Sequence, residues 1–426
     1  MQEKSMYSSH RWLVLLAGSV AIMSLYVNMI VFAPILGDIA ATLKVDMGTA
    51  TNLMMGFVLS VAVVLSFGGI VCDRFGITTA LVLGLLCTSL PAALMPMIGH
   101  SYNAVFVGRL VQGASVGFVF ATIGPILALW FPPREQGLAS GVLFGAISIG
   151  STIGVIASPS LFAALGSWQK MSAVMSIPGW AAILLAFLFT RQAPSTEVIK
   201  ALQAAMSTGC GEITFGKALT LPRTWLITAV IICNSWGLYC LYNLVPAYLG
   251  APAPMGVGLQ PVSAGNLSLA LTSVGIFAPF VGGLFFDKIA KGNPKPAVIL
   301  GFLLSGLFTY LILKPSVFGN ISTLALCLML AGWGIPFMNA SLSATIAVNY
   351  PLSIIGRMMG FCFGVGTFGG ALGLYLGGKS IAVTGSFFTA LALISGAAIA
   401  GILLISCFRK RQPAASAALA GDAASN

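Results

Sequence analysis

The sequence predicts an all-α integral membrane protein: twelve transmembrane helices in two pseudo-symmetric six-helix bundles. Three observations carry this. First, 58% of the 426 residues are hydrophobic and only 7% are charged, where a soluble domain carries about 25% charged residues. So few charges cannot cover a water-facing surface, which excludes a soluble enzyme, a soluble binding module and a disordered chain. Second, the apolar residues gather into runs near the roughly 20 residues that a helix needs to cross a bilayer. Third, the second half of the chain repeats the first.

The runs fall at 12–36, 50–71, 78–98, 103–130, 138–162, 169–190, 224–249, 263–286, 296–314, 320–348, 355–378 and 385–407. Charged residues mark the breaks. Arg11 precedes the first run, and Asp38 and Lys44 follow it. Asp73 and Arg74 separate the second from the third. Arg134, Lys170, Lys288, Lys314, Arg357 and Lys379 mark later breaks. The longest polar break, 191–222, holds Arg191, Lys200 and Lys217, with Arg223 just past it, and divides the chain into six spans and six. The expected organisation is an N-terminal bundle over 1–190, a cytoplasmic central loop over 191–222, a C-terminal bundle over 223–411 and a disordered tail over 412–426.

The net charge of +11 reads as a topological signal, because Lys and Arg collect on the cytoplasmic side of membrane proteins. With the N-terminus inside, fifteen of the twenty basic residues fall in inner segments. Four fall outside (Lys44, Lys170, Lys314 and Lys379), and Arg109 lies within a span. Both termini are therefore expected in the cytoplasm, in a plasma or inner membrane. The first run is too long for the apolar core of a signal peptide and lacks a small-residue cleavage site. The eight cysteines are scattered through apolar runs and read as small hydrophobes.

The repeat is visible residue by residue. Gly69-x-x-x-Asp73-Arg74 recurs as Gly283-x-x-x-Asp287-Lys288. Pro132, Gly137, Gly141, Gly145, Gly150 and Gly154 recur, at one offset of 219, as Pro351, Gly356, Gly360, Gly364, Gly369 and Gly373. An even number of spans per half makes the repeats parallel, related by an axis along the membrane normal.

These residues resemble the major facilitator superfamily. Gly68-Gly69-Ile70-Val71-Cys72-Asp73-Arg74-Phe75-Gly76 is similar to that family's loop between helices two and three, with a degenerate copy at Gly282 to Lys288. Gly108-Arg109-Leu110-Val111-Gln112-Gly113 is similar to its Arg-x-x-Gln-Gly motif. Two features depart from the family. Gly76 is followed by Ile77-Thr78 where a basic residue is usual after the glycine, and Pro159 is not in the Gly-Pro arrangement of the antiporters. The resemblance implies that Asp73, Arg74, Asp287 and Lys288 act as gate latches. It also implies that spans one, four, seven and ten line a central cavity.

The candidate substrate residues fall in those spans. Arg109 lies six residues past Asn103, about 9 Å deep at 1.5 Å per residue, and no carboxylate lies at comparable depth. It either binds an anionic substrate with Gln112 nearby, or braces span four against span one through backbone carbonyls or Asp38. On span seven, Trp236, Tyr239 and Asn243 share one face at i, i+3 and i+7. Asn234 lies close by, and Tyr242 and Tyr248 suit an outer aromatic belt. Span one offers Tyr26 and Asn28, and span ten Trp333 and Asn339. The glycine ladders of spans five and eleven suit sliding interfaces between the halves.

Gly373-x-x-x-x-Gly378-Lys379-Ser380 matches a phosphate-loop pattern, but it lies at the end of an apolar helix rather than after a strand. No catalytic triad, paired carboxylates or metal-ligand set is visible, so neither an enzyme nor a cofactor is expected. The expected activity is secondary transport by alternating access. The expected substrate is a small organic anion, monocarboxylate-like, moved by symport or uniport, with a proton or cation as the coupling partner. The alternative is efflux of lipophilic drugs. A membrane sensor would need a soluble output domain, and an embedded enzyme would need intramembrane acids or histidines. The expected partners are the lipid bilayer and the solute, with no nucleic acid, for a monomer.

Overall fold

The computed structural model describes residues 9–131, 133–192, 214–291, 293–350 and 352–408. Among the described residues, twelve helices are long and apolar enough to cross a membrane. They are α1 Arg11–Leu43, α2 Met47–Gly68, α3 Arg74–Ile98, α4 Tyr102–Leu127, α5 Gly141–Leu165, α6 Trp168–Phe189, α7 Pro222–Gly250, α8 Val262–Leu284, α9 Pro294–Leu311, α10 Ile321–Ile346, α11 Gly356–Thr384 and α12 Phe387–Ser406. Every expected run overlaps one of them. The first helix extends past its expected end, carried through a tight turn at Ala33–Ile35 to Leu43. Residues 193–213 of the expected central loop and the expected tail 412–426 lie outside the described residues, and a short helix, Phe215–Leu219, precedes α7.

Local chemistry sets the helix ends. The Asp46 carboxylate accepts from the Thr49 backbone N–H at 3.0 Å and caps α2. Asn320 caps α10 in the same way, accepting from Ser322 N–H at 3.0 Å. Near the start of α3 the chain kinks at Gly76, whose φ of +83° is left-handed and favours glycine. The outward surface is apolar, with Met97, Phe280 and Leu403 each more than 60% exposed. That is the surface a hydrocarbon solvent requires.

The packing is duplicated. α1 packs on α5 and α6, as α7 packs on α11 and α12. α4 packs on α2 and α3, as α10 packs on α8 and α9. Glycines hold the register. A Cβ at Gly150 of α5 would lie 2.3 Å from the Met23 carbonyl oxygen of α1, and one at Gly369 of α11 would lie 2.2 Å from the Ile232 carbonyl oxygen of α7. Gly113 meets the Phe57 carbonyl oxygen and Gly332 that of Leu271, both at 2.0 Å. The sequence repeat is thus a repeat of helix contacts.

This corrects the expected role of the ladders. Gly150, Gly154, Gly369 and Gly373 face the first helix of their own half. A bare backbone is needed there because helices within a bundle approach closely. Of the ladder glycines, Gly364 and Gly360 face the other half, at Ser66 and Leu65.

The two halves meet along α2 with α11 and α5 with α8. At the membrane face away from the described termini they touch closely. A Cβ at Gly48 would lie 2.4 Å from the Gly378 carbonyl oxygen, and one at Gly265 would lie 2.9 Å from that of Val155. At mid-depth Gly275 still meets Ser148. Nearer the terminus face, a Cβ at Gly141, Gly145 or Gly283 meets nothing within 4 Å. α5 and α8 therefore part toward the terminus face.

Candidate functional site

The site begins with Arg109, which is fully buried on α4. Its Nε donates to the Leu53 carbonyl at 3.3 Å. Its Nη1 donates to the Asn28 carbonyl at 2.8 Å and to Gln112 Oε1 at 3.0 Å, and its Nη2 donates to the Met29 carbonyl at 2.9 Å. The guanidinium carbon lies 4.8 Å from the Phe32 ring centroid and 4.6 Å from that of Phe57. Such ring faces attract a desolvated cation. Four of the five N–H donors are taken by neutral acceptors. α1, α2 and α4 are thereby tied together, and Asp38 is not among the partners.

Around this cation lies a buried polar nest. Asn28 Nδ2 donates to the Ser24 carbonyl at 3.0 Å and to the Met175 carbonyl of α6 at 3.4 Å. Gln112 Nε2 donates to the Thr88 carbonyl of α3 at 3.4 Å. Asn28, Arg109 and Gln112, picked out separately in the sequence, form one connected group. Their N–H donors are directed largely at backbone carbonyls, because a donor in an apolar solvent needs a partner.

The remaining candidates divide. Tyr26 sits beside Phe120, with ring centroids 6.2 Å apart, and the Tyr239 and Tyr242 phenols lie near enough for a charge on either to be felt there. Tyr239 lies against Gly370 of α11, with Thr367 nearby. Trp236 lies against Gly373, so much of the face shared by Trp236 and Tyr239 covers the α11 glycine stripe. Asn243 Nδ2 donates to the Tyr239 carbonyl at 2.7 Å, one turn back. Asn339 of α10 accepts a hydrogen bond from Asn234 of α7. Trp333 packs beside Ala278, Ala297, Phe285 and Phe337.

Tyr242 and Tyr248 are not an outer belt. Tyr242 is 2% exposed and its hydroxyl lies near Gly275, while Tyr248 donates to the Ile312 carbonyl at 3.4 Å beside Phe387. Both rings turn inward because α7 is enclosed by its neighbours. Of the gate-latch candidates, Arg74 is exposed with its guanidinium over the Phe75 ring at 5.4 Å, and Lys288 is exposed. The side chains of Asp73 and Asp287 lie outside what the structure describes. The phosphate-loop look-alike is helical throughout, and its Gly378 faces Gly48.

Sequence reasoning missed Ser148, Gly275 and Thr367. They are small residues on α5, α8 and α11, where nothing in composition separates a cavity wall from a packing contact.

Comparison with known proteins follows the same architecture. The family model described as Major Facilitator Superfamily matches residues 16–294. The Hexuronate transporter of Bacillus subtilis (strain 168) is 24% identical over 388 residues, covering 87% of this chain and 89% of that protein. Probable anion transporter 6 of Oryza sativa subsp. japonica is 26% identical over 266 residues, 59% of each chain. The Quinolone resistance protein NorA of Staphylococcus aureus (strain COL) is 23% identical over 363 residues, covering 83% of this chain and 85% of that protein. The chain spans about half the length of the plant relatives it matches. With twelve spans, a duplicated packing plan and a family model covering well over half of its residues, the chain belongs to the Major Facilitator Superfamily.

Proposed function

We propose that the protein is a secondary transporter of small organic anions, monocarboxylate-like, working by symport or uniport. The observation that carries this reading is the electrostatics of Arg109. Its partners are carbonyls, an amide oxygen and two rings, which stabilise the cation but leave its charge unneutralised. A full positive charge in a low-dielectric interior attracts an anion entering the cavity. The anion and hexuronate transporters among the relatives support the same class.

Transport follows from rocking of the halves. The contacts at Gly48 and Gly378 close one face, while α5 and α8 part toward the other. The excess of Lys and Arg on the terminus side supports a cytoplasmic orientation of that open face, in a plasma or inner membrane. Proton coupling, where it operates, runs through Asp38 or the carboxyl group of the substrate. The transporter acts as a monomer, and Asp73, Arg74, Asp287 and Lys288 latch its inner loops.

The test is thermal stability of the purified protein against small organic acids and lipophilic cations, in parallel with Arg109→Gln. A hundredfold excess over the dissociation constant adds about 2.7 kcal/mol to the native state. Protection by an acid, lost in the variant, is the expected result. The second reading, efflux of lipophilic compounds, draws on the inward-turned Tyr26, Tyr239 and Phe120 rings and on the relative named for quinolone resistance. Protection by cations alone, unchanged in Arg109→Gln, would replace the first reading with the second.

A further inference from the structure

Three hydroxyls on buried residues stay unpaired with their oxygens still accessible, whereas those of Ser24, Thr88 and Ser89 are unpaired and fully enclosed. Tyr26 is 7% exposed, Tyr242 2% and Ser148 4%. Among the described residues no hydrogen bond is made by any of the three side-chain oxygens. The hydroxyl of a buried tyrosine ordinarily finds a partner, and one that is accessible and unpaired is free to take that partner from a ligand.

The three converge from both halves. Tyr26 is on α1 and Ser148 on α5, while Tyr242 is on α7. Gly275 of α8 joins them: a Cβ there would lie 2.6 Å from Ser148 Oγ and 3.4 Å from the Tyr242 hydroxyl. The Tyr239 and Tyr242 phenols lie close enough to Tyr26 for a charge on either to be felt there. Tyr26 lies 15 residues beyond Arg11, about 22 Å along α1, so the group sits near mid-depth. The Arg109 guanidinium holds the carbonyls of Asn28 and Met29, in the next turn of the same helix. Positive charge and unpaired hydroxyls thus neighbour each other along α1.

We propose that Tyr26, Tyr242 and Ser148 bind hydroxyl groups of the substrate, so that the transported anion is a hydroxylated carboxylate, from an α-hydroxy acid to a sugar acid. This rests on the anion reading above and narrows it. A phenol and a serine hydroxyl each donate and accept, as a substrate hydroxyl does. A plain fatty acid would satisfy the charge but strand all three. Sites built to hydrogen-bond a substrate hydroxyl strongly reject the analogue that lacks it. Residues from both halves would also let the substrate bridge the halves as they move.

The experiment compares paired acids that differ in hydroxylation: lactate against propionate, and gluconate against hexanoate. Each is assayed for thermal protection of the purified full chain and for competition in proteoliposome uptake. The expected result is that at least one hydroxylated acid acts at a concentration roughly tenfold lower than its plain partner. That preference shrinks in Tyr26→Phe, Tyr242→Phe and Ser148→Ala, while the potency of the plain acids stays the same. Three conservative variants guard against one that fails to fold. Equal protection by the paired acids, lost in Arg109→Gln, would leave the anion reading standing and overturn this one. A preference that survives all three variants would also overturn it. Protection by none of the four acids would overturn both readings.

Discussion

Arg109 Nη1 donates to the carbonyl of Asn28 at 2.8 Å, and Asn28 reaches on to the Met175 carbonyl. One cation on α4 therefore locks α1, and through it α6. The lock depends on the planar fork of the guanidinium, which serves carbonyls of α1 and α2 together. A lysine keeps the charge but is a point donor on a flexible stem. Arg109→Lys should therefore lose at least tenfold in transport. It should also lower stability by about 3 kcal/mol, the scale for removing one partner of a buried charged network. Uptake and thermal unfolding in detergent, measured together, check this. Wild-type stability in the lysine variant would show that the fork is not what holds the helices.

The glycine repeat makes a paired prediction. Gly150→Ala and Gly369→Ala each place a Cβ about 2 Å from a carbonyl oxygen of the neighbouring helix, and overpacking of this kind costs about 1–3 kcal/mol. Gly141→Ala and Gly145→Ala enter open space and should change stability by less than about 0.5 kcal/mol. Melting temperatures of the four variants decide the matter. Equal losses at all four positions would mean that the duplicated register is not what the glycines serve.

These glycines also show what the sequence made legible. The 219-residue offset announced a duplicated fold, because backbone contact tolerates no side chain and so leaves a mark in the residue types. The twelve spans were legible for the same kind of reason: a bilayer of fixed thickness imposes a length. The site was legible only in part. Arg109, Asn28 and Gln112 stood out as polar residues in apolar runs, and they prove to be one group. Their partners did not stand out, since backbone carbonyls have no residue type. The inward turn of Tyr242 was also hidden, because a tyrosine near a span end suits a membrane interface as well as a core.

The amide pair of Asn234 and Asn339 links α7 to α10. Asn234 is 2% exposed, so removing its partner strands it away from water. Asn339→Leu should destabilise the protein, and a double-mutant cycle with Asn234→Leu should give a coupling of about 0.6–1.7 kcal/mol, the range for polar contacts between membrane helices. A coupling of zero would mean that each amide finds another partner.

Asp46 gives the protein a measurable pH dependence. Its hydrogen bonds from the Thr49 hydroxyl and backbone N–H hold its carboxyl below the ordinary aspartate range. A lowered folded-state pKa means that its stabilisation is fully present above the unfolded value of about 3.9. It is lost as pH falls through the folded value. The group is exposed, so the capping contribution is about 1 kcal/mol or less. Replacing Asp46 with alanine should lower stability at pH 7 and narrow the gap to wild type below about pH 4. A gap that stays constant through acid would show that the carboxylate is not the capping group.

Gly48 and Gly378 close the face away from the termini, each presenting backbone to the other: a Cβ on Gly48 would lie 2.4 Å from the Gly378 carbonyl oxygen and one on Gly378 would lie 2.8 Å from that of Gly48. A side chain there must hold the halves apart, while α2 and α11 stay packed within their own bundles. Gly48→Val should therefore shift the population away from the conformation described, by whatever the clash adds to it alone. A cysteine at Ala251, at the α7 end on that face and 4% exposed, reports the shift. In the valine background it should label several-fold faster with a membrane-impermeant maleimide, while transport falls. The expectation rests on the clash being local to the closed state. Unchanged labelling together with a lower melting temperature would instead mean that Gly48 matters for folding and not for the choice between conformations.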